Sequence, residues 1–364
     1  MLSSVTAAEA LRQLSSYSAI IDARSESEFA LDRLPGALNW PSLNDAERAL
    51  IGTEYSQVSP FAARKHGAIL VARNIARHIE REVQDKPKDW RPLVYCWRGG
   101  QRSGALGLVL GQIGFRVHVL EGGYREYRRA VLADLERLPA LFDYRVVCGS
   151  TGSGKSRLLQ ALRSRGAQVL DLEQLAEHRG SVLGLAPGAA QPSQKQFESR
   201  VWEALRGFDP QQPVFVESES KKVGDLRVPP ALIEHMRAAP CLQLELPLPR
   251  RVELLLADYA FFVHDAASLC ERLDALRVLR GNATVEAWQQ QARAGQMREL
   301  VQSLLVEHYD PGYAQSMLRN FPELARPQLE LAWDGSEATL EAAAARAIEA
   351  AAAATMRRAP VIGE

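Results

Sequence analysis

Eight residues restrict this chain's possible folds more than any others: Gly149-Ser150-Thr151-Gly152-Ser153-Gly154-Lys155-Ser156. They fit G-x-x-x-x-G-K-S, and they follow an apolar run, Tyr144–Cys148, that reads as a strand. A loop of this kind works only where a strand hands over to a helix. The glycines let the backbone approach phosphate oxygens, the helix N-terminus adds partial positive charge, and the lysine reaches the terminal phosphates. Lys155 is therefore expected to meet phosphate or pyrophosphate, and the Ser156 hydroxyl is a candidate Mg2+ ligand. The pattern alone does not imply ATP hydrolysis, because any diphosphate suits it.

A second anion loop lies about fifty residues earlier: Cys96-Trp97-Arg98-Gly99-Gly100-Gln101-Arg102-Ser103. It follows the apolar run Arg91–Cys96 and precedes a Gly- and Ala-rich helical stretch, Ser103–Ile113. Successive backbone N–H groups and a helix N-terminus lower a thiol pKa. Cys96 is thus a candidate nucleophile, and Arg98 and Arg102 are candidate partners for a tetrahedral oxyanion. Cys148, Cys241 and Cys270 read as buried structural residues.

Further short apolar runs, Ser18–Ala23, Phe115–Leu120, Gln168–Asp171, Val214–Glu217 and Cys241–Leu246, alternate with helical stretches. This is the pattern of parallel α/β sheets with ligands at the strand carboxyl ends. Acids at those ends, Asp171 and the alternating pair Glu217 and Glu219, are candidates to assist substrate or Mg2+. Arg179, Ser181 and Lys221, in polar segments after strands, are candidates to meet substrate. From Pro249 to about Asn320 the spacing of apolar residues is helical, as at Leu300, Leu304 and Leu305. Glu337–Arg358 is nearly all Ala and Glu and reads as a terminal helix of high propensity. The expected domains are residues 1–138, 139–250 (P-loop core), 251–335 (helical subdomain returning to that core) and 336–364 (Ala-rich helix and tail).

Several segments carry a family resemblance. Asp22-Ala23-Arg24-Ser25-Glu26-Ser27-Glu28-Phe29, Leu34-Pro35-Gly36-Ala37-Leu38-Asn39 and Leu120-Glu121-Gly122-Gly123-Tyr124 resemble rhodanese segments across residues 5 to 130. The cysteine loop departs from the usual C-x-x-G-x-R type. Five residues separate Cys96 from Arg102, the C-x5-R-S spacing of cysteine phosphatases, though Tyr95 stands where those enzymes usually carry His. The larger ring suits a phosphate- or selenophosphate-sized anion. The fold class expected is α/β, an N-terminal rhodanese-like parallel-sheet domain followed by a P-loop NTPase-like α/β domain with a helical subdomain.

That order, with the wording of both loops, resembles the tRNA 2-selenouridine synthase family. Further matching segments are Leu170–Glu173, His178–Ser181, Gln191–Gln194, Glu217–Gly224 and His308–Tyr313. The resemblance implies a transferase that replaces the sulfur of wobble 2-thiouridine in tRNA with selenium from selenophosphate, via S-geranyl-2-thiouridine made from geranyl diphosphate. It implies pyrophosphate on Gly149–Ser156 and selenium handled by Cys96, as an S-selanyl intermediate or by a nest presenting selenophosphate. The helices between Pro249 and Asn320 would house the geranyl chain, at roughly 0.8 kcal/mol per buried CH2. Selenophosphate and geranyl diphosphate would be co-substrates, without a prosthetic group, and tRNA the macromolecular partner.

Composition is compatible with this and selects little. The 364 residues include 44 Lys+Arg and 44 Asp+Glu, so any RNA contact must come from a local basic face. Arg125, Arg128 and Arg129, with Lys221, Lys222 and Arg227, are the candidates. Four cysteines without C-x-x-C spacing suggest neither zinc nor disulfides, as suits a reducing cytoplasm. No signal peptide or membrane span is expected. Three other readings remain: an ATP-dependent P-loop kinase or NTPase with a regulatory rhodanese domain, a cysteine phosphatase or sulfurtransferase, and a non-catalytic RNA-binding adaptor.

Overall fold

A computed structural model of the chain describes residues 2–98, 100–180, 190–263 and 265–358. The chain divides into two compact units, residues 1–134 and 135–364.

The first unit is built on five parallel strands: β1 (Leu2–Val5), β2 (Ala19–Asp22), β3 (Ala37–Asn39), β4 (Pro92–Tyr95) and β5 (Val117–Leu120). Their spatial order is β1-β5-β4-β2-β3, so β4 is central. Its four residues are fully buried, as a strand covered on both faces requires. Ile21, Val94, Leu106, Leu110, Val117 and Trp90 form the core beneath the cysteine loop. The strands β1 and β3 were not expected from sequence. Each is a sheet edge of three or four residues, too short to show a period.

The second unit has a parallel sheet of β6 (Tyr144–Cys148), β7 (Gln168–Leu170), β8 (Val214–Glu217), β11 (Cys241–Glu245) and β12 (Leu329–Ala332), ordered β12-β11-β6-β8-β7. A hairpin of β9 (Lys222–Val223) and β10 (Leu226–Arg227) follows β8. The P-loop strand β6 lies in the middle, beside β8, so Glu217 comes off the strand next to the phosphate loop. The Ala-rich helix Glu337–Arg358 is part of this core. Ala343, Ala344, Ala347 and Ala351 lie on one face and are buried with Leu158, Leu162 and Leu331. Small residues there let helix and sheet approach closely. The tail beyond residue 358 lies outside the described residues.

Helices from Leu248 to Asn320 form the expected helical region, with its own core around Trp288, Leu273 and Leu300. One irregularity matters for the site. Leu305–Tyr309 is a π turn directly before Asp310-Pro311. Proline cannot donate to a carbonyl one turn earlier, and the widened turn accommodates that loss. No helix among the described residues is long and apolar enough to cross a membrane.

Candidate active site

Cys96 leaves the carboxyl end of β4 and is only 3% exposed. Burial pushes its thiol pKa up, but the Ser103 hydroxyl, the N–H groups of Ser103 and Gly100, and the Arg102 charge together hold it below the ordinary value. Ser103 Oγ donates to Cys96 Sγ at 3.2 Å. The helix Gln101–Ile113 begins directly behind the loop. Arg102 does not hang free: its Nη1 donates to Glu28 Oε2 at 3.0 Å, so the guanidinium is fixed at the loop's edge. Arg98 is exposed. The following turn is tied in, with Tyr124 N–H donating to Cys96 O at 2.8 Å and the Trp97 and Tyr124 rings stacked. The Tyr95 hydroxyl accepts from Leu34 N–H and so belongs to the core beneath the loop. Behind the loop a buried Asp22–Arg24 pair at 2.6 Å braces the start of the rhodanese-like segment.

This environment makes a direct prediction. Alkylation of Cys96 by iodoacetamide should show a pH midpoint below that of a free thiol. Ser103→Ala should move that midpoint upward, since a donor to the thiolate is lost. A midpoint unmoved by the substitution would show that Ser103 does not bear on the thiolate.

In the second unit Gly149–Lys155 wraps the end of β6. Gly154 has φ +88°, and an added Cβ would come within 2.4 Å of Trp333, whose Nε1 donates to Ser153 O at 2.8 Å. Only glycine fits there. Lys155 Nζ donates to Gly149 O at 2.7 Å, and Gly149 N–H donates to the Tyr313 hydroxyl at 2.6 Å. Arg251, nearly buried, donates to Thr151 O through Nε and Nη2 and makes a two-point ion pair with Asp310. The segment His308–Tyr313 thus latches onto the loop from above.

Carboxylates gather beside Ser156. Ser156 Oγ donates to Glu173 Oε2 at 3.2 Å, and Glu173 N–H donates to Glu217 Oε1 at 2.8 Å. Burial, then mutual repulsion, pushes Glu217 well above the usual range and Glu219 up to about 8. Burial also raises Asp171 and Glu173. Gly180 at φ +66° lies so close that a Cβ would meet Glu173 Oε1 at 2.5 Å and Glu219 Oε1 at 2.8 Å. Lys155, Ser156, Asp171, Glu173, Arg179 and Glu219 line one cleft of about 1510 Å3. Arg179 is held by stacking over Tyr259 and donating to Asp258 O. Lys221 is exposed near the hairpin and does not line that cleft. Ser181 lies outside the described residues.

A second, smaller cavity of about 70 Å3 adjoins the loop. Thr151, Leu255, Tyr259 and Tyr309 line both it and the cleft, and its remaining wall is apolar, including Leu256, Phe262, Met297, Leu300 and Val301. One water needs roughly 10–15 Å3 of such space but also polar partners, which this wall does not offer. Glu28, Ser103, Glu173, Arg251, Asp310, Tyr313 and Trp333 are among the side chains at the two loops not singled out as site candidates from sequence. The resembling segments contained all of them except Arg251 and Trp333, for which no local pattern gave a signal.

A rhodanese-like sheet with an intact cysteine loop, joined to a P-loop sheet, defines a two-domain class. The family models agree: a rhodanese-like domain matches residues 6–130, and a tRNA 2-selenouridine synthase AAA domain matches residues 142–279. A tRNA 2-selenouridine synthase of Alcanivorax borkumensis is 33% identical over 332 residues, covering 82% of this chain and 90% of that one. One of Marinobacter nauticus is 30% identical, covering 84% and 90%. The Nitrosomonas europaea protein of the same name is 35% identical over 244 residues, 66% of this chain but only 63% of its own length. The chain belongs to the tRNA 2-selenouridine synthase family.

Proposed function

We propose that the chain is a tRNA-modifying transferase that converts wobble 2-thiouridine to 2-selenouridine in two stages, one at each loop. The observation that carries this reading is the pairing of chemistries: an activated thiol in one unit, and in the other a phosphate loop that opens onto an apolar slot. In the first stage the thiouridine sulfur attacks C1 of geranyl diphosphate. The C–S bond forms, the C1–O bond breaks, diphosphate leaves, and the base N3 loses its proton to solvent. Lys155 and the loop N–H groups hold the leaving charge. In the second stage selenium from selenophosphate takes the C2 position and geranyl thiol departs.

The apolar slot beside Thr151 supports a prenyl chain there in place of a purine, which would call for hydrogen-bonding partners. Ser156 and Glu173 form a donor set suited to Mg2+ beside a diphosphate, where the ion would neutralise leaving charge. Among the described residues no three acidic, histidine or cysteine side chains converge to hold a metal by themselves. The test of the whole reading is nucleoside analysis of a 2-thiouridine-containing tRNA incubated with the protein, geranyl diphosphate and selenophosphate. S-geranyl-2-thiouridine should appear first and 2-selenouridine should follow. Protection against heat by ATP, with none by geranyl diphosphate, would favour the NTPase reading instead.

The slot gives a further expected result. Val301 is partly exposed on its wall. Val301→Trp should fill the slot and raise the Kd for geranyl diphosphate about tenfold or more, leaving inorganic pyrophosphate affinity unchanged. Calorimetry with both ligands measures this. An equal loss for both would place the chain elsewhere.

A further inference from the structure

The P–Se bond of selenophosphate has to break at some point, because the product carries selenium without phosphorus. We propose that Cys96 breaks it as a phosphoryl acceptor: its thiolate attacks phosphorus, forming a phosphocysteine and leaving the electron pair with selenium. This rests on the reading that selenophosphate is the donor. It applies whether selenium is still on the donor or already joined to C2 of the base.

The electron balance favours phosphorus over selenium as the point of attack. A bond between Cys96 sulfur and selenium would oxidise the selenium by two electrons, which requires either reduction of phosphorus to phosphite or a further oxidant. Attack at phosphorus changes no oxidation state. The S–P bond forms, the P–Se bond breaks, and selenium leaves as a selenide. Water then attacks phosphorus, the S–P bond breaks, the electron pair returns to Sγ, and phosphate departs with the water's oxygen and one of its protons. The other proton goes to solvent.

The loop is built for this. Five residues separate Cys96 from Arg102, the C-x5-R spacing that cysteine phosphatases use for a phosphoryl group. The N–H groups of Gly100 and Ser103 favour the thiolate. Arg102, held by Glu28 at 3.0 Å, offers a fixed guanidinium to the equatorial oxygens. Ser103 Oγ, 3.2 Å from Sγ, stabilises the thiolate twice, as nucleophile and later as leaving group. Three carboxylates of this unit are engaged, Glu28 by Arg102, Asp22 by Arg24 and Asp32 by the Tyr124 hydroxyl. A selenide leaves as an anion and needs no general acid, whereas the alkoxide of an alkyl phosphate needs a proton.

The test uses the full chain with selenophosphate and S-geranyl-2-thiouridine RNA, quenched in acid and analysed by peptide mass. Ser103→Ala should accumulate a phosphoryl group on the Cys96 peptide and slow steady-state 2-selenouridine formation by roughly 10- to 100-fold, the worth of one hydrogen bond to a charged group. Ser103→Thr, which keeps the hydroxyl, should restore turnover. Rapid quench of the native protein should catch the same adduct if Ser103→Ala does not fold. Selenium on the Cys96 peptide, or 2-selenouridine formed with no phosphocysteine in any of these proteins, would overturn the proposal. Phosphocysteine without RNA selenation would leave this step standing and sink the assigned RNA substrate.

Discussion

Cys96→Ala is expected to stop selenium insertion and leave S-geranyl-2-thiouridine as the end product. The loss of 2-selenouridine should be on the order of a thousandfold or more, as befits removal of a nucleophile. Geranylation should stay within about threefold of the native rate, a difference worth well under 1 kcal/mol. The asymmetry follows from where the groups sit. Cys96 is held by Ser103, Gly100 and Arg102, all within the first unit. The P-loop is held by Trp333, Arg251 and Tyr313, all within the second. Removing a small, nearly buried thiol also leaves the β4 core almost intact, so the comparison is not clouded by unfolding. Nucleoside analysis after incubation with both co-substrates reads the two products together. Normal selenation by Cys96→Ala would dismiss the first loop from the chemistry.

Both loops were legible in the sequence because their chemistry demands fixed local spacing. A phosphate cradle needs its glycines and lysine within eight residues, and an oxyanion loop needs its arginine six residues after the cysteine. The partners that set the geometry were not legible, because they meet across long separations. Glu28 reaches Arg102, and Arg251 joins Thr151 to Asp310, with nothing in local pattern to mark either. Periodicity identified the helices after Pro249, but it cannot tell an apolar face that fills a core from one that lines a slot. Leu300 is in both the core and the wall. The Ala-rich terminal helix shows the reverse case. Its composition looked like propensity alone, yet Ala344 and Ala347 are fully buried against the P-loop core. The short strand β12 escaped notice because its four residues, although they alternate with Leu331 buried and Glu330 and Ala332 exposed, are too few to establish a period.

Lys155→Ala should fail in the opposite sense. Geranylation should fall roughly 10²- to 10³-fold, the usual effect of losing one preorganised donor to a developing anion. Lys155 Nζ rests on Gly149 O at 2.7 Å, and on ligand binding it would exchange that carbonyl for an oxygen of the diphosphate. Its charge is also what offsets the crowded carboxylates, since it lowers the pKa values of both Glu173 and Glu219 against the effect of burial. Without it, both acids should hold their protons to higher pH. Each folded-state pKa would then lie still further above its unfolded value. A raised carboxylate pKa favours the folded state while the proton is bound, and that contribution is lost as pH rises through the folded pKa. The variant should therefore lose stability from pH 5 toward pH 9 more steeply than the native protein, which thermal melts across that range would measure. RNA that already carries S-geranyl-2-thiouridine should bypass the defect, because its selenation draws on Cys96 and not on the P-loop. If Lys155→Ala cannot selenate that RNA, the division of labour between the two loops is wrong, and the P-loop must act in the selenium step as well.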